Sequence, residues 1–341
     1  MKAKRQLFLA VIFLLSLVCT VHAQSIKTLH KGYPTSLRGL SVVNDKVIWV
    51  SGSNGTVGRS LDSGKTWKWI TVQGFEKRDF RDIEAFDAVT AVILAIGEPA
   101  QILKTVNAGE SWTSVYVNKT PGMFLDAMEF WNDQSGIALG DPINSRFFIT
   151  RTFNEGSSWR DMDPKNLPVA DSGEAAFASS GTNIRRLDRD EACFISGGKQ
   201  SRLFWKGLTY DLPFTKGKET AGANSIAVRD DKKIKDSKYF VVVGGDFTDP
   251  TNSSNNCFVT KDGGKTWLAP ATPPAGYRSC VEFVSKTRLI TSGLTGVDLS
   301  DDGGLNWKSI STESFHVCRK SKEGKSVFLA GADGKIAILR P

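Results

Sequence analysis

A chain of 341 residues with 40% hydrophobic and 23% charged side chains can bury a sizeable core and is too apolar to stay unfolded. Its 44 Lys and Arg against 36 Asp and Glu give a net charge of +8, about +5 once Lys2, Lys4 and Arg5 are set aside. That mild excess, with no basic run and no aromatic-interleaved basic stripe, argues against nucleic acid as a partner.

The chain begins with those three basic residues, the apolar run LFLAVIFLLSLVC, and Val21-His22-Ala23 before Gln24. This is the pattern of a secretory signal over residues 1–23, which predicts a periplasmic or secreted protein. A lipoprotein anchor at Cys19 is the rival, disfavoured by Val18 where a small residue is wanted. No second apolar run is long enough to span a bilayer, so residues 24–341 are expected to form a single domain without a membrane span.

An eight-residue pattern, [ST]-x-[DN]-x-G-x-x-W, then recurs five times: SLDSGKTW, TVNAGESW, TFNEGSSW, TKDGGKTW and SDDGGLNW, starting at Ser60, Thr105, Thr152, Thr260 and Ser300. Asp or Asn is expected to bond the backbone two residues on, Gly to take a positive φ, and Trp to anchor the turn to a core. The residues assigned this structural work are Asp62, Trp67, Asn107, Trp112, Asn154, Trp159, Asp262, Trp267, Asp302 and Trp307. Successive starts lie 45, 47, 108 and 40 residues apart, so the long interval must hide one degenerate unit.

Short apolar segments that end in Gly mark seven units: VIWVSG from Val47, AVILAIG from Ala91, SGIALG from Ser135, ACFISGG from Ala192, YFVVVGG from Tyr239, RLITSG from Arg288 and SVFLAG from Ser326. The unit with the decayed box runs through SRLFWKG, from Ser201. Short β-branched strands bounded by Gly, Asn and Asp at even spacing, four to a unit, predict an all-β fold, a seven-bladed β-propeller. The last unit offers three strands before Pro341, and a ring with an open edge invites aggregation. Ser25 to His30 is therefore predicted to complete the seventh blade and close the ring.

Cys193, Cys257, Cys280 and Cys318 lie in apolar strands with no C-x-x-C or Cys/His pairing, which reads as buried thiols. One bridge between Cys280 and Cys318, on inner strands of successive units, is the other reading. No metal-ligand spacing, dinucleotide fingerprint or nucleophile elbow is present, and neither metal nor cofactor is expected.

In a propeller the loops entering the inner strands and the turns after the second strands share one face, and the boxes lie on the other. Aligning the inner strands gives one position that is polar throughout: Arg38, Asp82, Asp126, Glu174, Asn224, Ser279 and His316. The turns add Glu98, Asp141, Arg146, Lys199, Arg202 and Asp246, and flanking positions add Arg81 and Arg278. Carboxylates mixed with guanidinium groups suit a polar ligand, a protein or a polysaccharide. Asp82, Asp126 and Glu174, from adjacent units, are also the candidate acid and base of a glycosidase or lyase, with Arg146 or Arg202 holding the substrate.

Phe80-Arg81-Asp82-Ile83, then Gly97-Glu98-Pro99, then Ile102-Leu103-Lys104-Thr105 leading into a box, resembles the photosystem II stability/assembly factor propellers, and the boxes resemble the bacterial neuraminidase repeat. The resemblance implies a propeller with Asp-box turns and, in the assembly factors, binding through an arginine-rich face, of which Arg81 keeps one position. The sialidase signature, three clustered arginines with a Tyr/Glu pair and an Arg-Ile-Pro segment, is not met, since no Arg-Ile-Pro occurs. Together these readings predict an exported, monomeric binding module or assembly factor; the alternative is a carbohydrate-active enzyme working from the same face.

Overall fold

The computed structural model describes residues 24–187, 190–229 and 237–340, and residues 1–23, on which the expected signal falls, lie outside them. The described chain is almost wholly β, with one 3-10 turn at Pro164–Asn166, and it forms the predicted seven-bladed propeller.

Blade one comprises Leu37–Val42, Ile48–Gly52, Thr56–Ser60 and Lys68–Thr71, each strand antiparallel to the one before it. Blade two, from Phe80–Ala85 outward to Thr113–Asn118, repeats it. Blade three runs from Leu125–Phe130 to the two-residue strand Arg160–Asp161. Blade six runs from Cys280–Phe283 to Lys308–Ser311. All seven second strands fall where the Gly-ended apolar segments placed them, because a strand covered on both faces by neighbouring blades must be apolar on both. Ile48 to Val50, Ala91 to Ala95 and Phe240 to Val243 are all fully buried.

Inner strands of successive blades pack side by side, and that of blade seven packs on that of blade one. Closure is as predicted. Ser25–His30 pairs antiparallel with Ile336–Arg340, from Ser25 opposite Arg340 to His30 opposite Ile336, and becomes the outer strand of the sheet built on Val317–Lys320. Ile26 and Leu29 pack against the core shared by blades six, seven and one, and His30 Nδ1 lies 3.1 Å from the Gly334 carbonyl.

The five boxes are one structure repeated. In the first, Ser60 Oγ accepts the Gly64 N–H at 2.9 Å and donates to Asp62 Oδ1, which accepts the N–H of Thr66. The acidic or amide side chain therefore reaches four residues on, instead of the expected two, because the backbone turns twice through positive φ, at Ser63 (66°) and Gly64 (78°). A Cβ on Gly64 would lie 2.9 Å from Leu29, in the neighbouring blade, so the glycine also sets how closely blades pack.

Blades four and five depart from the plan. Blade four has no continuous inner strand: Glu174–Ala175 pairs with Gly197–Gly198, the chain leaves the sheet, and pairing resumes at Ile184–Arg186. Blade five has three strands, ending at Cys257–Thr260. The four cysteines are free and buried; Cys280 Sγ donates to the Cys318 carbonyl at 3.3 Å, so these two meet as thiols.

Candidate functional site

In four blades the inner strand carries a β-bulge near its start, one residue unopposed on the second strand. The bulged residues are Arg38, Arg81, Asp126 and Asn224. A bulge re-aims its side chain, here into the channel. Ser279 and His316 hold the corresponding places, their amides bonded to Ser292 and Ala330. The ring is therefore real but differs from the sequence alignment at two of seven positions.

In blade two the bulged residue is Arg81, and Asp82 lies one residue on, buried under residues 176–182, where a Cβ on Gly181 would come within 2.4 Å of its carboxyl. Its Oδ1 accepts the Ile83 N–H and its Oδ2 the Met128 N–H of blade three, at 2.9 and 2.8 Å. Burial pushes this carboxyl up to about 8, against the pull of Arg319 and the two amides. In blade four Glu174 is not in the ring; it is buried under the interrupted strand. Arg202 grips it, with Nε 2.9 Å from Oε1 and Nη2 on Oε2, while Ser196 Oγ and the Asp171 N–H complete its shell.

The ring position of blade four is instead taken by residues 176–182, which leave the sheet and pass through the channel. No composition signal announced this plug; apart from Phe177, which packs on Phe247, its Ala-Ser-Gly-Thr character is the one hint, since small side chains let a chain pass among the strands. Arg38 Nη1 donates to the Ser179 carbonyl at 3.1 Å and Arg81 Nη1 to that of Ala178 at 3.3 Å. Ser179 Oγ donates to Asn224 Oδ1 at 2.8 Å, an oxygen shared with the Tyr277 hydroxyl. Ser180 Oγ donates to the Ser279 carbonyl, Thr182 Oγ1 meets Ser225 Oγ, and Arg319 Nη2 donates to the Gly181 carbonyl. Ser180 and Thr182 are buried. The plug thus bonds to blades one, two, five, six and seven and closes the channel.

Beside it lies a partly buried charge network centred on Arg185, which the ring alignment missed. Arg185 donates to the Ile226 carbonyl and to Glu282 at 3.0 Å each, and reaches Glu129 at 3.5 Å; Arg319 lies 3.7 Å from Glu282. Glu84, Glu129 and Glu282 stand late in their inner strands, a polar recurrence visible in the sequence beside the ring that was chosen.

The carboxyls around the plug are unusual. Asp126 is fully buried, and neither oxygen has a hydrogen-bond partner; the Ala178 amide lies near it but outside bonding geometry. Burial and the nearby Asp141 raise Asp126 well above the ordinary carboxyl range, against the pull of Arg81. Asp141 accepts the Ala176 N–H at 2.9 Å and is raised by burial to about 6. His316, its Nε2 3.2 Å from Ser36 Oγ, is lowered to about 3 by burial and by the charges of Arg38 and Arg81, so it stands neutral near two guanidinium groups.

The remaining sequence candidates are engaged inside the chain. Glu98 Oε1 accepts the Gly122 N–H; Arg146 donates to the Leu167 carbonyl at 2.7 Å; Lys199 pairs with Glu219. Asp246 accepts from Thr248 and Lys218, and the Thr248 hydroxyl leads in holding it below the ordinary range. Arg278 is fully buried, with Nε 2.6 Å from Asp298 Oδ2 and Nη1 on the Tyr277 carbonyl and Thr295 Oγ1. Arg78, which the sequence did not single out, clasps the carbonyls of Ile96, Gly97 and Pro99.

What stays accessible at the mouth is the Arg38 and Arg81 pair, both half-buried. Each repels the other enough that burial and Arg81 together lower Arg38. Arg81 Nη2 pairs with Asp79 at 3.4 Å.

Residues 32–161, which hold blades one to three, match the family model described as photosynthesis system II assembly factor YCF48. The fold as a whole is similar to a solved structure of YCF48 bound to a D1 peptide, at TM-score 0.63 and 15% identity over 93% of this chain and 95% of that one. It is similar also to YCF48 from Cyanidioschyzon merolae, at TM-score 0.66 and 16% identity over 93% and 99%. The WD40 propeller domain of Doa1 shares the architecture at TM-score 0.62 and 12% identity, covering 93% and 97%. No curated protein matches by sequence. The likeness to the photosystem II assembly-factor propellers that the Phe-Arg strand and its turns suggested is therefore borne out.

Proposed function

We propose that this photosystem II assembly factor-like propeller is an exported protein-binding module that takes a carboxylate-bearing peptide segment at the channel mouth, against Arg38 and Arg81. The observation that carries the reading is this pair of neighbouring guanidinium groups, each with one N–H on a plug carbonyl, with Asp79 paired to Arg81. Guanidinium forks take carboxylates in two parallel bonds, and a partner carboxylate would relieve the repulsion between the two arginines. The family likeness agrees with a protein partner, and the leader-like residues 1–23 are the reason for proposing export.

The carbohydrate-active reading asks for two reachable carboxyls facing one cleft. Asp82, Asp126 and Glu174 are all buried, Asp82 between two amides and Glu174 under Arg202, which favours the binder. The test is fluorescence anisotropy with labelled acidic peptides, free or amidated at the C-terminus, beside a glycan panel scored for binding and product release. Arg38→Gln and Arg81→Gln should each weaken peptide binding at least tenfold in protein that circular dichroism shows to be still folded. Unaltered affinity in both variants would refute the mouth as the site. Glycan turnover abolished by Asp126→Asn in a folded protein would replace the binder with the enzyme.

A further inference from the structure

Exposed apolar side chains are ordinary when scattered singly, but several of this chain's stand on one face at one level. The second position of the box holds Leu61, Val106 and Phe153 in blades one, two and three, where they are 50%, 67% and 60% exposed. Their turns share the same hydroxyl-to-glycine bond, at 2.9, 3.0 and 3.1 Å, so the ring's repeat sets the three side chains at a common height. The position does not require an apolar residue, since blades five and six carry exposed Lys261 and Asp301 there. Val89 lies beside the second box, its carbonyl accepting the Ala108 N–H at 2.8 Å. Leu208 follows the turn that replaces the box in blade four, and both it and Val89 are exposed.

The chain enters the domain on this same face. A third strand runs toward the boxes, so Ser25, opposite Arg340 at the end of the third strand of blade seven, lies where that blade's box would be. Leu29 of the same strand reaches Gly64 in the first box, which makes blade one the neighbour. Residues 1–23, with their run LFLAVIFLLSLVC, therefore join the propeller on the side that carries the apolar tips. The mouth with Arg38 and Arg81 opens on the other side.

We infer that the box face of blades one to four is a docking surface for a lipid bilayer, into which Leu61, Val89, Val106, Phe153 and Leu208 insert while the mouth points away from it. Each tip stands on its own turn, and a fluid lipid surface takes separate tips at a common level without having to match their outline. Lys65, Glu110 and Glu155 lie in the same turns and are exposed, so neither sign of charge dominates, and insertion that scales with buried apolar area holds the contact. A leader still attached would hold this same face to the bilayer. Neither Arg38 nor Arg81 takes part, so this surface and the mouth can fail independently.

The chain from Gln24 holds every strand of the closed ring and is used without the leader, whose apolar run would bind lipid by itself. Floated with vesicles of phosphatidylethanolamine and phosphatidylglycerol, it should partition onto them saturably. Leu61→Ser/Val106→Ser/Phe153→Ser should lower the partition coefficient at least tenfold in protein that circular dichroism shows to be folded. Depth is read from single nitroxide labels, which the four buried native cysteines do not take up. A label at Phe153→Cys should gain oxygen accessibility and lose nickel-chelate accessibility on vesicles; one at Leu294→Cys, in the turn between Leu289–Gly293 and Gly296–Ser300 on the opposite face, should do neither. Should the triple variant misfold, the two labels decide alone. No partition of the parent at millimolar lipid, an unchanged coefficient in the folded triple variant, or equal depth for the two labels would overturn the surface. A dimer in sedimentation that the triple variant abolishes would assign the tips to a second copy and overturn the bilayer reading.

Discussion

Replacing Arg278 by leucine tests whether the charged residues of the loop face are there for a ligand or for the fold. Arg278 is wholly buried, and its removal leaves Asp298, itself 1% exposed, with the Ala275 N–H at 3.4 Å as its remaining partner. Breaking a buried pair on one side costs about 3–5 kcal/mol, mostly the desolvation of the charge left behind, whereas replacing both partners by apolar groups is often close to neutral. Arg278→Leu should therefore lower the unfolding free energy by about 3–5 kcal/mol at pH 7, and Arg278→Leu/Asp298→Leu should restore all but about 1–2 kcal/mol of it. The deficit has a predictable pH dependence. Burial already raises the Asp298 carboxyl, and without the arginine it rises further. A carboxyl whose folded pKa exceeds its unfolded value stabilises fully below the unfolded value, near 4, and loses that stabilisation as pH climbs through the folded one. The single variant should thus approach the parent at pH 4 and fall furthest behind at pH 7 to 8. Urea unfolding followed by fluorescence of the nine tryptophans, at pH 4, 5.5 and 7.5, measures this. A loss under about 1 kcal/mol at pH 7.5, or a double variant no better than the single, would refute the account.

Gly181→Ala should destabilise by about 2 kcal/mol or more, since Gly181 has φ +64° and a Cβ there would lie 2.4 Å from the Asp82 carboxyl; a melting temperature within a degree of the parent would mean the plug is not seated as described. Deleting Ser25–His30 exposes the edge of Ile336–Arg340, and calorimetry should show earlier and broader unfolding; unchanged melting would refute closure by this strand. Asp141, raised to about 6, stabilises most below pH 4 and loses about 3 kcal/mol of that by pH 7, a slope that Asp141→Asn should remove from the pH dependence of unfolding. An identical slope in that variant would show that another carboxyl sets it.

Much of the architecture was open to reading because it repeats. The box at Thr260 has the same Oγ-to-Gly bond and the same four-residue reach of its acid as the box at Ser60, so five local solutions announce themselves in one pattern. The seventh blade followed from counting, since three strands before the terminus need a fourth and Ser25 to His30 was the unassigned one. The candidate site was harder. Shifting the ring by one residue, from Arg81 to Asp82, exchanges a side chain accessible at the mouth for one sealed beneath the plug, and a bulge inserts that residue without any local mark.

Local and periodic features were thus determined by the sequence alone: strand, turn, box, blade number and closure all rest on interactions between residues close in the chain or in register with a repeat. Which polar residues are free to act was decided only in three dimensions. Arg38 finds its carbonyl at Ser179, 141 positions away, and Lys322 its carboxylate at Glu84, 238 away. A buried charge or amide takes whatever partner the closed ring brings within about 3 Å. No pattern along the chain records that pairing, and so the plug and the sealed carboxyls emerged only when the seven blades met.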